Sequence, residues 1–270
     1  MVDNREKKQY IQTVFNQVSE VYDNNDFFSL SAKKMISLIQ LDNKRGKKIL
    51  DITTGTGIVA LEAAKAFPEV DIIGLDLSDQ MLLQAQSKAD LMGIDNISFR
   101  QLDIEHLDYP KQSFDVISCG YGLFFLPDLE GSFKAIFNTL KDNGMFIFST
   151  FTEEAFAPYN QLFLERLKRF NVEPPELSWK LLQSNEAIEK LCRQCAVKNL
   201  EIVPYPIAYQ ITIETWWQLL NSAGYKGLLN QLPDESFDEF KKQHMTEVSQ
   251  LAVDGKLFLN ANTLYGIVTK

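Results

Sequence analysis

The chain has 270 residues, 45% of them hydrophobic, 23% charged and 11% aromatic, proportions that exclude disordered, collagenous and low-complexity classes and allow a large core. Acidic side chains outnumber basic ones 36 to 27, for a net charge of -9. That is the wrong sign for holding a phosphate backbone by counterion release, so nucleic acid is not an expected partner.

The N-terminal stretch MVDNREKKQY has no apolar core of the kind a secretory leader needs, which predicts a cytoplasmic chain. No window approaches the ~18 uninterrupted apolar residues of a membrane helix, so no membrane span is expected. Tyr10, Val14, Val18, Val21 and Tyr22 recur at helical steps, and Met35, Leu38 and Ile39 share one face of a second helix over 31–41. The basic run from Lys44 to Lys48 reads as a solvated turn. From Lys48 the pattern changes. Short apolar runs at 48–52, 70–76, 97–102, 114–119 and 145–149 alternate with helical stretches at 58–67, 78–92 and 129–140. That alternation predicts an α/β fold, a doubly wound and mostly parallel sheet.

Beyond Thr150 the signal weakens. Helices are expected over 154–170, 187–196, 215–220 and 237–251, with Pro174-Pro175 as a break. Residues 199–213 read as extended but interrupted by Pro204 and Pro206, and 263–269 as a final strand. The chain reads as one domain over 1–270. It has an N-terminal helical cap over 1–45, a core over 46–152 and a C-terminal part with lid helices over 153–270. The three cysteines, Cys119, Cys192 and Cys195, fit a reducing compartment. Cys192 and Cys195 form a lone C-x-x-C on helical spacing, without a second pair or a flanking histidine. They read as two helix-borne thiols, so no metal site is expected.

The most informative segment is Asp51-Ile52-Thr53-Thr54-Gly55-Thr56-Gly57, which joins a strand to a helix. Its glycines let the backbone turn sharply beside the free N–H groups of the helix, where a doubly wound sheet binds ligands. Gly55-x-Gly57-x-x-Ala60 also satisfies a dinucleotide fingerprint. Asp51 argues against a pyrophosphate there, because like charges at ~4 Å repel by on the order of kcal/mol, and favours a cationic ligand such as S-adenosylmethionine. Asp76 ends the second strand, placed to accept from ribose hydroxyls, and Asp103 follows the third. Three carboxylates at successive strand ends predict an acidic crevice.

These segments, with Leu75-Asp76-Leu77-Ser78, Leu102-Asp103-Ile104-Glu105 and Ser113-Phe114-Asp115-Val116-Ile117, resemble the ordered motifs of class I S-adenosylmethionine-dependent methyltransferases. Phe15 through Tyr22-Asp23, Pro110 and the Leu126-Pro127-Asp128 turn are similar to those of the ubiquinone/menaquinone C-methyltransferase group. The resemblance covers roughly residues 10 to 150. It implies a seven-stranded Rossmann-like sheet, S-adenosyl-L-methionine as cofactor and a small-molecule methyl acceptor. By position it implies that Asp51, Gly55, Thr56 and Gly57 hold the methionine moiety, with Thr53 of the same loop among the cofactor-binding residues, and that Asp76 holds the ribose. Leu77 and Met81 would flank the adenine, and Asp103 and Ile104 would meet its edge. Cys119 and Gly120 would lie near the sulfonium, with Tyr22 closing over the cofactor.

Two positions depart from the family. Thr53 stands where a small residue is usual, and Gly122-Leu123-Phe124-Phe125 replaces a polar pair with aromatic side chains. The second departure weighs against a quinone precursor and towards a more apolar pocket, unless Phe124 and Phe125 are core. Methyl transfer from a sulfonium is an in-line displacement that needs alignment and a dry site. No general base stands out. His106 reads as solvent-facing, His244 as structural, and Tyr121 and Asp128 as weaker candidates. Of Trp216 and Trp217, one is expected in the core and the other at the pocket. An apolar or aromatic acceptor is the expectation. A silent cofactor-binding scaffold and a nicotinamide-dependent oxidoreductase are the alternatives.

Overall fold

The computed structural model describes residues 4–41, 45–173 and 178–270. Lys44 and Pro174-Pro175 lie outside the described residues. Seven strands form the main sheet: β1 Lys48–Ile52, β2 Asp71–Asp76, β3 Ile97–Gln101, β4 Phe114–Gly120, β5 Leu140–Phe151, β6 Asn199–Tyr205 and, last in the chain, β9 Thr263–Thr269. Their order is β3-β2-β1-β4-β5-β9-β6. β1 pairs in parallel with β2 and β4, β2 with β3, and β4 with β5, while β9 runs antiparallel to β5 and β6. The expected doubly wound α/β architecture, with seven strands, is therefore present.

The central strands read as near-continuous apolar runs because both faces of the sheet are covered. One core cluster holds Leu50, Ile117, Phe133 and Phe148, and a second holds Ile49, Ala60, Val116 and Ile147. Adjacent residues of one strand thus point to opposite layers. Helix α3 (Ile58–Ala66) follows β1, α4 (Asp79–Met92) follows β2, and α5 (Leu129–Thr139) leads into β5. Ser78 caps α4 by accepting from the Met81 amide, Gly93 closes it at φ 64, and Asp128 caps α5 through the Gly131 amide. The strand order reverses at β1, so the crevice at the carboxyl ends of β1 and β4 is the place for a ligand.

Elements outside this frame depart from the sequence reading. Helix α1 spans Asn4–Val18, and α2 spans Asp26–Ser37, five residues earlier than its expected start at 31. Phe27 and Phe28 are buried there, in the first turn. β5 begins at Leu140 although Asp142-Asn143-Gly144 looks like a loop. A register shift between Phe114 and Val116 absorbs the extra residues, and Lys270 supplies backbone partners to Asn143 and Gly144. Pro204 is tolerated because β6 is an edge strand. Helix α6 covers Tyr159–Arg169 and α7 covers Asn185–Gln194.

Residues 206–262, inserted between β6 and β9, leave the sheet altogether. They form a separate pair, β7 (Ala208–Ile211) with β8 (Leu257–Asn260), and helices α8 (Ile213–Ser222), α9 (Lys226–Leu229) and α10 (Asp234–Ser249). Neither β8 nor α9 is legible in the sequence. This insertion is fastened to the N-terminal helices. Tyr10 donates its hydroxyl to the Gly227 carbonyl, Asn25 donates to Ser222 at 2.9 Å, and Asn230 donates to Gln17 at 2.8 Å. Among the described residues no helix is long and apolar enough to cross a membrane.

Candidate functional site

Asp51 ends β1 with only 1% of its surface exposed. It accepts from the Ser118 hydroxyl on β4 at 2.6 Å and from the Thr54 hydroxyl at 2.5 Å. Burial pushes its carboxyl up to about 7, against the pull of these two hydrogen bonds. Gly55 and Gly57 carry the chain around the turn at φ 55 and 78. A Cβ on Gly55 would meet nothing within 4 Å, so that glycine is required by its backbone angle. At Gly57 a Cβ would also stand 3.0 Å from the Ala85 Cβ.

Asp76, at the end of β2, accepts from the Gly55 amide and the Ser78 amide, each at 2.8 Å. It therefore ties the glycine turn to the start of α4. Burial raises its pKa, and the backbone amides oppose the rise. Thr56 donates to Asp23 in the short 3-10 turn Tyr22–Asn24, and Asp23 pairs with Lys88 of α4.

Between these loops and α2 lies a cleft of about 390 Å3, counting space that opens to solvent. Of the expected residues, Tyr22, Asp51, Thr53, Gly55 and Gly120 line it. Thr56, Gly57, Asp76 and Leu77 build the turns behind and beside it. Met81 and Ile104 are buried in the core, and Cys119 has no exposure and meets the Thr53 hydroxyl at 3.1 Å. Phe28, Ser31, Ala32, Ile58 and Val59 also line the cleft and were not expected. Phe28 could not be located from a helix whose expected start was residue 31.

The acidic crevice is narrower than expected. Asp103 follows β3 but does not line the cleft; the Lys8 ammonium of α1 meets it at 2.6 Å, and the Glu105 amide donates to it at 3.0 Å. Burial would raise this carboxyl; Lys8 and Glu105 hold it below the usual range instead. Lys8 also pairs with Glu105. An oppositely charged helix residue far away in sequence neutralises what looked like a free carboxylate. The unpaired negative side chains reduce to Asp51 and Asp76.

Thr53 sits at φ 51, a costly angle for a β-branched residue. Its hydroxyl donates to the Ile52 carbonyl at 2.6 Å. A Cβ on Gly122 would fall 1.8 Å from the Thr53 Oγ1. The departure at Thr53 is thus accommodated by the absence of a side chain at 122. Phe124 is core, and Phe125 packs on Phe124 and on Phe15 of α1, at 4.8 Å and 5.2 Å between ring centroids. Neither lines the cleft.

None of the four base candidates serves the cleft. Tyr121 does line it, but its buried hydroxyl is bonded to Thr263 Oγ1 at 2.6 Å, and burial drives its pKa above the usual phenol range. Asp128 caps α5, and His106 is 77% exposed beside Asp103. His244 is fully buried and accepts from the Trp216 indole at 2.9 Å. Trp216 is the core tryptophan, but Trp217 does not reach the pocket. It packs on Phe237 and under Lys241. Cys192 and Cys195 are buried free thiols, and no metal-holding cluster occurs among the described residues.

The site suits S-adenosylmethionine on this structure's own terms. A buried carboxylate whose burial disfavours its charge gains from a nearby ammonium. The open space over Gly55 leaves room for a ligand against bare backbone, and Asp76 keeps a carboxylate at the end of β2, tied to that turn. Sheet order, switch-point crevice and these carboxylates together define a class I methyltransferase. The comparisons agree. A family model described as a methyltransferase domain matches residues 43–224. A ubiquinone/menaquinone biosynthesis C-methyltransferase of Rickettsia massiliae is 30% identical over 236 residues, covering 84% of this chain and 91% of the relative. Two solved structures share the fold. The YcgJ protein of Bacillus subtilis has a TM-score of 0.55 at 21% identity, covering 89% of this chain and 98% of that one. A Haemonchus contortus phosphoethanolamine N-methyltransferase, in complex with S-adenosyl-L-methionine, has a TM-score of 0.57 at 18% identity, covering 100% and 60%. The chain belongs to the methyltransferase family and is an S-adenosylmethionine-dependent enzyme. The nicotinamide and silent-scaffold readings are set aside by that membership.

Proposed function

We infer that this enzyme methylates a small apolar or aromatic molecule, and that a hydroxylated ring methylated on carbon is the best candidate. The observation that carries the reading is the aromatic wall beside Asp51. Tyr22 stacks on Phe28 at 4.4 Å, Phe28 meets Tyr121 at 5.7 Å, and all three line the cleft. Such faces favour a flat, apolar partner and exclude water from it. The name of the Rickettsia relative points the same way. The aromatic pair Phe124-Phe125 no longer weighs against a ring, because it is packed outside the cleft.

S-adenosylmethionine supplies a methyl group on a sulfonium, whose departure needs no acid. The protein's part is then to hold the acceptor in line and to keep the cleft dry. None of the four expected bases serves the cleft, which favours an electron-rich carbon, whose proton leaves only after the methyl group has arrived, over an alcohol that must lose its proton first. In this reading the cap over 1–45 and the C-terminal part over 153–270 enclose the acceptor, the core over 46–152 holds the cofactor, and the enzyme is cytoplasmic. Incubation with labelled S-adenosylmethionine and a panel of hydroxylated aromatics, aliphatic amines and thiols tests it. The expected outcome is label on ring carbon; label confined to amines or thiols overturns the acceptor class.

A further inference from the structure

A sulfonium carries a full positive charge but no N–H or O–H, so no hydrogen bond can single it out. A nearby carboxylate or the face of an aromatic ring can. In the cleft the Asp51 carboxylate suits the cofactor's ammonium, which leaves the rings of Tyr22, Phe28 and Tyr121 for the sulfonium.

Tyr121 stands apart from the other two. It follows β4 directly and sits at φ 53, a left-handed angle that costs an aromatic residue. Its surroundings over-determine that strained position. Its amide donates to the Ser149 hydroxyl of β5 at 3.1 Å, its hydroxyl meets Thr263 of β9 at 2.6 Å, and Phe151 stacks on its ring at 4.2 Å. Thr263 donates its own proton onward to the Ala261 carbonyl at 3.0 Å, so it is the Tyr121 hydroxyl that donates to Thr263. The phenol proton is thus committed to β9, away from any ligand, and what Tyr121 brings to the cleft is its ring. Phe28 lines the cleft too, but Tyr22 stacks on it at 4.4 Å and Phe27 packs on it at 4.3 Å. Among the described residues no ring other than Phe151 stacks on Tyr121. Strain held this firmly at the lip of a ligand cleft marks a functional position.

We propose that the Tyr121 ring selects the charged methyl donor: its π face holds the sulfonium of S-adenosylmethionine and has no such hold on the neutral thioether left after transfer. The inference rests on the reading of the cleft as the cofactor site and gives the enzyme a means of shedding its spent cofactor. The test titrates the full-length protein by calorimetry with three probes. They are S-adenosylmethionine, the uncharged S-adenosylhomocysteine, and sinefungin, which carries a charged amine in place of the sulfonium methyl. Tyr121→Leu, apolar without a π face, should weaken S-adenosylmethionine and sinefungin by roughly tenfold, the worth of a desolvated cation on a ring. S-adenosylhomocysteine affinity should stay unchanged, and Tyr121→Phe should keep the discrimination among the three. If Tyr121→Leu does not fold, phenylalanines bearing none to three ring fluorines are installed at 121. S-adenosylmethionine affinity should then fall stepwise as fluorine depletes the ring face, with S-adenosylhomocysteine constant. An equal loss for all three probes, no loss for any, or a flat fluorine series overturns the proposal. Failure of the unaltered protein to bind any of the three is a different result, which overturns the reading of the cleft itself.

Discussion

Asp51 and Asp76 do different work although both end parallel strands. Asp76 uses both carboxylate oxygens on backbone amides of two loops. Asp76→Ala should therefore weaken S-adenosylhomocysteine binding by tenfold or more and also lower the melting temperature, since each lost charge-assisted bond contributes ~1.5–3 kcal/mol. Calorimetry and a thermal melt check the two effects; loss of affinity without loss of stability would show that the loops hold without it. Asp51 is governed by burial, which raises its pKa to about 7. Its neutral form is favoured when the site is empty, so the stability it contributes is full below pH ~4 and lost as pH rises to about 7. A bound ammonium reverses the preference. Cofactor affinity should then rise with pH up to about 7 and level off above it, with proton release on binding near neutrality. Calorimetry in buffers of different ionisation enthalpy measures that release, and Asp51→Asn should abolish it. At Thr53 the prediction is a paired one. Gly122→Ala should destabilise the protein by ~1–3 kcal/mol through overpacking, and Thr53→Gly in the same chain should restore most of it. Denaturant midpoints of the two single variants and the double variant test the coupling.

Helix α1 acts as a latch at the scale of elements. Lys8 reaches Asp103 after β3, Gln12 donates to the Leu77 carbonyl after β2 at 2.9 Å, and Asn16 donates to Asp79 of α4 at 3.1 Å. These contacts run along one face of the helix at positions 8, 12 and 16, one turn apart. The sequence shows the helix, but its polar face looks merely solvated, because the partners are distant loops. Lys8→Glu would set a third negative charge beside Asp103 and Glu105. It should raise amide exchange along α1 and speed S-adenosylhomocysteine release, read by exchange mass spectrometry and stopped flow. Unchanged exchange would mean that the Gln12 and Asn16 contacts and the packing of Val14 and Val18 hold the helix without Lys8.

Acid sensitivity belongs to the whole molecule. His244 of α10 accepts from Trp216 of α8, while Arg166 of α6 clasps Glu247 at 2.6 Å and also donates to Gln243 of α10. These contacts knit α6, α8 and α10 into one layer over Phe163 and Phe240. Burial, with Arg166 nearby, pushes the His244 pKa down to about 4. The stability that depends on neutral His244 is present above pH ~6.5 and is lost as pH falls through about 4. The melting temperature should fall over that window, and His244→Gln, which keeps an acceptor for Trp216, should flatten the fall.

The sheet, its α/β class, and the Asp51, Gly55, Gly57 and Asp76 turn were readable in the sequence by itself. Strand alternation and helix caps are local signals, and at Gly55 and Gly57 the positive φ leaves its mark as a glycine. Only the tertiary structure decided that Asp103 is neutralised by Lys8, that Phe28 and Ser31 line the cleft, and that Trp217 stays out of it. It alone paired Thr53 with Gly122 and placed β8 against β7. Each depends on which distant segment arrives at a given loop, and hydrophobic periodicity records the buried face of an element without recording its neighbour.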